Sequence, residues 1–242
     1  MASGNLFIVS TPIGNMQDIT IRGLKILFEV DVIFSEKASK TSLLLTKLLD
    51  EYPSLISRKE KPKIISFNEF EEEGKIYEVI NLLMSGLNVA LVSEAGTPLI
   101  SDPGFKLVRN AQKKGIKIIT IPGPSAVIAA LSVSSLPTDK FLFLGFIPKQ
   151  SKRKTNYFQK LKDTQKVLEK DFNPTIIFFE SPHRIHETLV CMKSVFGEIE
   201  VVIARELTKI HEEVLKNTIS ELLENTSIKN ARGEFVVLFS LK

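Results

Sequence analysis

Seven short apolar runs, rich in β-branched residues, punctuate this chain without the polar alternation of a half-exposed strand. They cover residues 6–9, 89–92, 116–121, 141–144, 175–179, 201–204 and 234–239. Continuous apolar character of this kind belongs to strands buried on both faces, as in a sheet with helices packed on either side. Between the runs the spacing of apolar residues changes to a helical period, over 21–27, 76–83, 105–111, 125–131 and 186–192. Ile76, Val79, Ile80 and Leu83, for example, share one face. Strands alternating with helices predict an α/β chain with a largely parallel sheet.

Length decides how many such sheets there are. The 242 residues give room for two domains of about 120 each, and Pro122-Gly-Pro124 interrupts the pattern near the middle. The expected division is therefore 1–121 and 122–242, each half with its own sheet. A composition 43% apolar and 25% charged excludes disordered and fibrous classes. The longest uninterrupted apolar stretch, 126–131, is far short of the roughly 18 residues of a membrane span. Met1-Ala-Ser-Gly-Asn5 lacks the basic segment of a secretory leader. Cys191 is a lone cysteine, unable to form an internal disulfide or to hold zinc by itself. The expectation is a cytoplasmic protein with no membrane association and no metal.

The turns after the strands carry the chemistry. Val9 leads into Ser10-Thr-Pro-Ile-Gly-Asn15, Val92 into Ser93-Glu-Ala-Gly-Thr-Pro98 and Ser101-Asp-Pro-Gly104, and Ile121 into Pro122-Gly-Pro-Ser-Ala126. Phe179 leads into Glu180-Ser-Pro-His-Arg184, and Ala204 into Arg205-Glu-Leu-Thr-Lys209. All five turns lie at carboxyl ends of predicted strands, where open α/β sheets bind ligands. Glycine there lets the backbone approach a ligand and proline stiffens the turn. The commonest nucleotide and hydrolase signatures are missing: there is no Walker P-loop, no G-x-G-x-x-G after Val9 and no G-x-S-x-G elbow. His183 and His186 have no third ligand at metal-binding spacing. A cleft with neither a resident nucleophile nor a metal suits group transfer from an activated donor that carries its own electrophile.

Charge adds a second hint. The 32 basic and 28 acidic residues leave a net +4, too little by itself to diagnose nucleic-acid binding. Between 149 and 170, however, eight basic residues face two acidic ones. That stretch reads either as a solvated face or as an electrostatic footprint for a phosphate backbone. The acidic 69–73 stretch reads as an exposed helix start or loop.

At these same turns the chain resembles a known family. Thr11-Pro-Ile-Gly-Asn15 with Asp18-Ile-Thr20, Val92-Ser-Glu-Ala-Gly-Thr-Pro-Leu-Ile-Ser-Asp-Pro-Gly104 and Pro122-Gly-Pro-Ser-Ala126 resemble the tetrapyrrole-methylase class of S-adenosylmethionine (SAM) methyltransferases. Leu136-Pro-Thr-Asp139, Phe141-Leu-Phe-Leu-Gly-Phe146, Glu180-Ser-Pro-His-Arg184, Arg205-Glu-Leu-Thr-Lys209 and Gly233-Glu-Phe-Val236 narrow the likeness to its ribosomal RNA small subunit methyltransferase I subfamily. The likeness runs from about Leu6 to Phe239. It implies two α/β domains of the tetrapyrrole-methylase type, SAM in the interdomain cleft and a homodimer. It also implies 2′-O-methylation of the ribose of cytidine 1402 in 16S rRNA, on the small ribosomal subunit.

Carried over by position, the resemblance places Ile13 and Gly14 beside SAM. It gives Ala95, Gly96 and Thr97 close backbone contacts, Pro98 the shape of the turn, and Ile100 a packing role. Ser125 and Ala126, opening a helix, fall where the amino-acid portion or adenosine binds, and Glu180 and Leu207 where the adenine side closes. Ile13, Ile100 and Leu207 have ordinary core as their alternative reading. For ribose chemistry the candidate general bases are Glu36, Glu180 and His183. Lys152, Arg153, Lys154, Arg184, Arg205 and Lys209 are candidates for RNA phosphates; each turn residue among these reads also as a cap or ion pair. The chain departs from the subfamily pattern in three places. Glu36-Lys-Ala-Ser39 stands for the usual Glu-Asp-Thr-Arg, Glu94 for aspartate and Ser135 for glycine. Two other readings remain: a methyltransferase of the same fold acting on a tetrapyrrole or other small molecule, and a non-catalytic ribosome-binding relative.

Overall fold

In the first half of the chain, strands buried on both faces assemble into one parallel sheet. The computed structural model describes residues 2–58, 60–68, 71–167 and 173–240. Its elements divide into two compact units, residues 1–125 and 126–242, the break falling after Ser125 rather than after Ile121. The first unit contains β1 (Leu6–Val9), α1 (Ile21–Glu29), β2 (Val32–Ser35), α2 (Ala38–Glu51), β3 (Lys63–Ser66), α3 (Glu72–Met84), β4 (Val89–Val92), α4 (Phe105–Lys113) and β5 (Ile118–Ile121). The strand order is β3-β2-β4-β1-β5, every pair parallel.

Alternation along each strand sorts the apolar side chains onto two faces. Leu6, Phe34, Val89 and Leu91 pack with Val79, Leu83, Leu107 and Ala111 of α3 and α4. Val9, Ile33, Ala90 and Val92 pack with Leu24, Leu27, Phe28, Leu45 and Leu48 of α1 and α2. The sheet is thus covered on both sides, which is why its strands carry no polar alternation. Thr20 sets the start of α1, its hydroxyl accepting from the Gly23 N–H at 3.0 Å.

The second unit contains α5 (Ala126–Val133), β6 (Phe141–Phe146), α6 (Ser151–Val167), β7 (Thr175–Glu180), α7 (Ile185–Phe196), β8 (Glu200–Arg205), β9 (Glu213–Thr218), α8 (Ile219–Glu224), α9 (Thr226–Lys229) and β10 (Phe235–Ser240). Here the expectation of a largely parallel sheet needs correcting. The order is β6-β7-β10-β8-β9, and only β6 and β7 run parallel. β10 enters between β7 and β8 antiparallel to both, and β8 and β9 form a hairpin. The apolar runs could not reveal this, because β7, β8 and β10 are buried on both faces whichever way they point. Phe178, Phe235, Val237 and Phe239 pack with Phe158, Leu189 and Met192 of α6 and α7. α5 packs on β7 and β10. The basic stretch from 149 is largely α6; Glu169 and Lys170 lie outside the described residues, as do Glu69 and Phe70 of the acidic stretch.

Candidate active site

Topology alone makes a crevice in the first unit. β1 and β4 are neighbours, yet β1 leaves into α1 on one face of the sheet and β4 leads to α4 on the other. Where adjacent strands send their chains to opposite faces, a crevice opens at their carboxyl ends. The loops there are tied together. Thr11 and Gly96 exchange backbone hydrogen bonds of 2.9 and 3.0 Å. The Thr97 hydroxyl donates to the Pro124 carbonyl at 3.1 Å. Its single proton is then spent, so in the 3.0 Å Ser10–Thr97 pair it is Ser10 that donates. One hydroxyl relay therefore links the loops after β1, β4 and β5.

The loop after β4 has an unusual backbone. Gly96 (φ 80°), Leu99 (72°), Ser101 (67°) and Gly104 (130°) all occupy the left-handed side. A Cβ on Gly96 would lie 3.2 Å from Ile13 Cγ2, and one on Gly104 only 2.6 Å from Leu91 Cδ2. Non-glycine residues held there cost energy and persist only when the surroundings fix them. Part of that fixing comes from α3, where buried Glu72 accepts the Gly104 N–H at 3.1 Å.

Next to this loop lies an acidic corner. Glu36, just after β2, accepts the Glu94 N–H at 3.3 Å, and Glu94 pairs in turn with Lys40 of α2. Burial and the neighbouring charge of Glu36 push Asp102 up to about 6, against the lowering effect of a hydrogen bond with Ser93. Asp102 was not among the residues singled out in the sequence. Its only signal there is Ser-Asp-Pro-Gly, which reads as a turn.

In the second unit the candidates are mostly engaged. Glu180 is buried, and both its oxygens are occupied. Oε1 accepts from Ser181 N–H at 2.7 Å and pairs with Arg184 at 2.5 Å; Oε2 accepts from Thr188 at 2.6 Å. That set anchors the start of α7 and fills three of the carboxylate's four lone-pair positions. Arg184 also donates to Ser181 Oγ and the Ile147 carbonyl. Arg205 pairs with Glu213 at 3.1 Å and donates to the Arg232 carbonyl. Lys209 bridges Glu206 and Glu234 at 2.9 and 3.0 Å. Burial works against both charges, but these bonds outweigh it, holding Lys209 above and Glu206 below their ordinary pKa values. Leu207 is buried between Glu206 (φ 49°) and Thr208 (φ 65°), both left-handed. His183 is exposed.

On α6, Lys152, Arg153 and Lys160 are exposed, as is Lys149 just before the helix. Lys154 is not: its side chain has no solvent exposure, and Nζ sits 3.2 Å from Glu187. This corrects the sequence expectation for Lys154, because a phosphate cannot reach a fully buried nitrogen. Among the described residues, no group of three His, Cys, Asp or Glu side chains could hold a metal ion.

Comparison with known proteins decides the family. The family model for Tetrapyrrole (Corrin/Porphyrin) Methylases matches residues 5–223. A ribosomal RNA small subunit methyltransferase I of Thermotoga maritima is 43% identical over 239 residues, covering 99% of each chain. The chain is a tetrapyrrole methylase of the ribosomal RNA small subunit methyltransferase I group. The Vibrio cholerae relative of the same name is 44% identical, over 96% of this chain and 76% of its own. A crystal structure of diphthine synthase shares the fold at 16% identity, with a TM-score of 0.71 over 98% of this chain and 90% of that one.

The loops of this methylase suit a bound cofactor. Thr11 Oγ1 is buried with no hydrogen-bond partner among the described residues, an unmet polar atom that calls for one. Gly96 and Gly123 keep the backbone bare; a Cβ on Gly123 would lie 3.0 Å from Ser10 Cβ. The family departures also find places. Lys37 is the N-cap of α2 without a side-chain cap bond; Ser35 accepts its N–H at 3.2 Å instead, while sharing a 2.5 Å bond with Thr41. Ser135 has φ 57°, the conformation for which glycine is suited.

Proposed function

We propose that this methylase uses SAM to methylate small-subunit ribosomal RNA, at the ribose 2′-oxygen of cytidine 1402 in 16S rRNA. The observation that carries the reading is kinship over the whole length: 43% identity across 99% of both chains with a protein named as a small-subunit ribosomal RNA methyltransferase. The bare-backbone crevice and the unmet Thr11 hydroxyl support it from the side of the cofactor.

In this reading Ile13, Gly14, Ala95, Gly96, Thr97, Pro98, Ile100 and Ser125 hold SAM. SAM supplies a methyl group already activated by its positive sulfur. The chain's own work is then alignment, which provides roughly 7–11 kcal/mol in favourable cases, and proton removal. Thr97 and Ser10 lock the loops through their hydroxyl relay. The Ser125 end of the β5 loop opens α5, whose first N–H groups suit a carboxylate. Exposed Lys152, Arg153 and Lys160 supply the phosphate-binding charge. Arg184, Arg205 and Lys209 meet phosphate only by exchanging the carboxylates they now hold. A cytoplasmic homodimer completes the proposal.

The test is transfer of a labelled methyl group from SAM to small ribosomal subunits lacking the modification, followed by alkaline hydrolysis. Label in an alkali-resistant dinucleotide supports a ribose 2′-O-methyl group, whose position is then mapped. Label in a base rejects the ribose chemistry. No transfer despite intact SAM binding rejects this acceptor, and then the Lys37-Ala-Ser39 departure is the first place to look.

A further inference from the structure

β6 is an edge strand of the second sheet, and its alternation breaks at one place. From Phe143 to Phe146 it advances three residues while its partner β7 advances two, from Ile177 to Phe179. The extra residue is a bulge, and within it Gly145 has φ 65°, a conformation that suits glycine. Residues three apart on a regular strand point to opposite faces. The bulge re-aims Phe146, so that it shares a face with Phe143. Both rings stand against the single ring of Phe179, Phe146 at 5.5 Å and Phe143 at 4.9 Å between centroids.

Phe146 is nonetheless 59% exposed, whereas Phe158 and Phe178 of the same unit are fully buried. Its ring is supported from one side and bare on the rest. The other exposed apolar residues of β6, Phe141 and Leu142, lie at the opposite end of the strand. Towards α6 the surroundings are cationic. Lys149 follows within about 11 Å of chain, and Lys152 and Arg153 lie in the first turn of α6; all three are exposed. The turn between is held in place, since the Ile147 carbonyl accepts from Arg184 at 3.3 Å. The carboxylates around the start of α7 are engaged, Glu180 by Ser181, Arg184 and Thr188, and Glu187 by Lys154. A supported aromatic face beside exposed cations is what an unpaired stretch of RNA requires: a π-face for a base and positive charge for its phosphates. An apolar protein partner would leave those cations desolvated and unpaired.

We propose, resting on the RNA-methylation reading above, that Phe146 is a stacking platform for an unpaired base of the RNA substrate, with Lys149, Lys152 and Arg153 on the adjoining phosphates. This adds the form of the substrate to its identity. A duplex keeps its base faces stacked on one another, so the platform selects a single-stranded or splayed segment.

Two substitutions and one comparison of probes test it. Phe146→Leu keeps an apolar side chain over Phe179 but removes the π-face. It should weaken binding to unmodified small ribosomal subunits roughly tenfold. The slope of log affinity against log salt should stay unchanged, because no phosphate contact is lost. Phe146→Tyr should bind as wild type does, and both variants should keep the wild-type melting temperature. The unaltered protein should bind an unpaired RNA oligonucleotide more tightly than the same oligonucleotide annealed to its complement. Undiminished binding by Phe146→Leu, a Phe146→Tyr that fails as Phe146→Leu does, or equal affinity for the two oligonucleotides would each overturn the proposal. So would a Phe146→Leu protein that loses affinity while sedimenting as a smaller species, which would assign the ring to a contact between copies of the chain. If the wild-type protein neither binds small-subunit RNA nor transfers a methyl group to it, the RNA-methylation reading falls and the platform with it. Wild-type binding and transfer that Phe146→Leu leaves intact rejects the platform alone.

Discussion

Lys154 and Glu187 form an unequal pair, and the inequality predicts opposite outcomes for two conservative substitutions. The Lys154 side chain is wholly buried between α6 and α7, while Glu187 is 54% exposed; the two lie 3.2 Å apart. Nζ has no hydrogen bond of good geometry among the described residues, so Glu187 is its main compensation. Glu187→Gln leaves the amine buried with its charge uncompensated. For fully buried pairs that loss is about 3–5 kcal/mol. Water already screens the exposed carboxylate, so we place the loss at about 2–3 kcal/mol. For a chain of this size that corresponds to roughly 4–12 °C in melting temperature. Lys154→Met keeps the apolar stem, removes the desolvated charge and releases Glu187 to water. Its effect should stay within about 1.5 kcal/mol of wild type. Urea and thermal unfolding followed by circular dichroism measure both. A silent Glu187→Gln together with a Lys154→Met that costs about 3 kcal/mol or more would refute the reasoning, because Lys154 would then stabilise the fold by its own packing or bonding and not through the pair. Lys154→Met should also leave RNA binding and its salt dependence unchanged, as a buried amine releases no counterion.

The exposed members of the same basic run should behave in the opposite way. Replacing Lys152 and Arg153 together by glutamate should reduce the slope of log affinity for small-subunit rRNA against log salt by roughly 0.7–0.9 for each phosphate no longer neutralised, with SAM affinity intact; an unchanged slope removes α6 from the RNA surface. Gly96→Ala puts a side chain at φ 80° and 3.2 Å from Ile13, a strain of about 1–2 kcal/mol, so thermal unfolding should show a melting temperature lowered by roughly 2–8 °C; an unchanged one would mean that the loop relaxes around the new methyl group. Ser135→Gly should stabilise the protein by about 0.5–1 kcal/mol, since the relief of left-handed strain exceeds the added chain entropy; thermal unfolding would show an upward shift, and a downward one would mean that the Ser135 side chain makes a contact of its own.

How far the sequence carries depends on whether a property is local. β1 and β4 are legible because both of their faces are covered, and the crevice is legible because only certain residues tolerate its backbone: Gly96 and Gly104 mark left-handed turns by residue type alone. β2 is harder to read, since only Val30 and Asp31 separate Val32 from the end of α1 and the helical and strand patterns merge. β9 alternates exposed Val214 with more buried neighbours and carries Glu213 and Lys216, so it lacks the apolar run of a doubly covered strand. Charge is the least local property. Lys154 sits in the sequence among surface lysines, but its place on the α6 face that packs on α7 makes it a buried ion. The Glu180 carboxylate reads as a free acid in the turn, yet it holds Arg184 and Thr188, four and eight residues on, a spacing that marks a helix start. Asp102 had none. A carboxylate in Ser-Asp-Pro-Gly is an ordinary turn residue, and what raises its pKa is its burial together with Glu36, brought beside it because β2 and β4 are neighbours in the sheet. The strand order, which no periodicity encodes, therefore helps to set the protonation of this carboxyl.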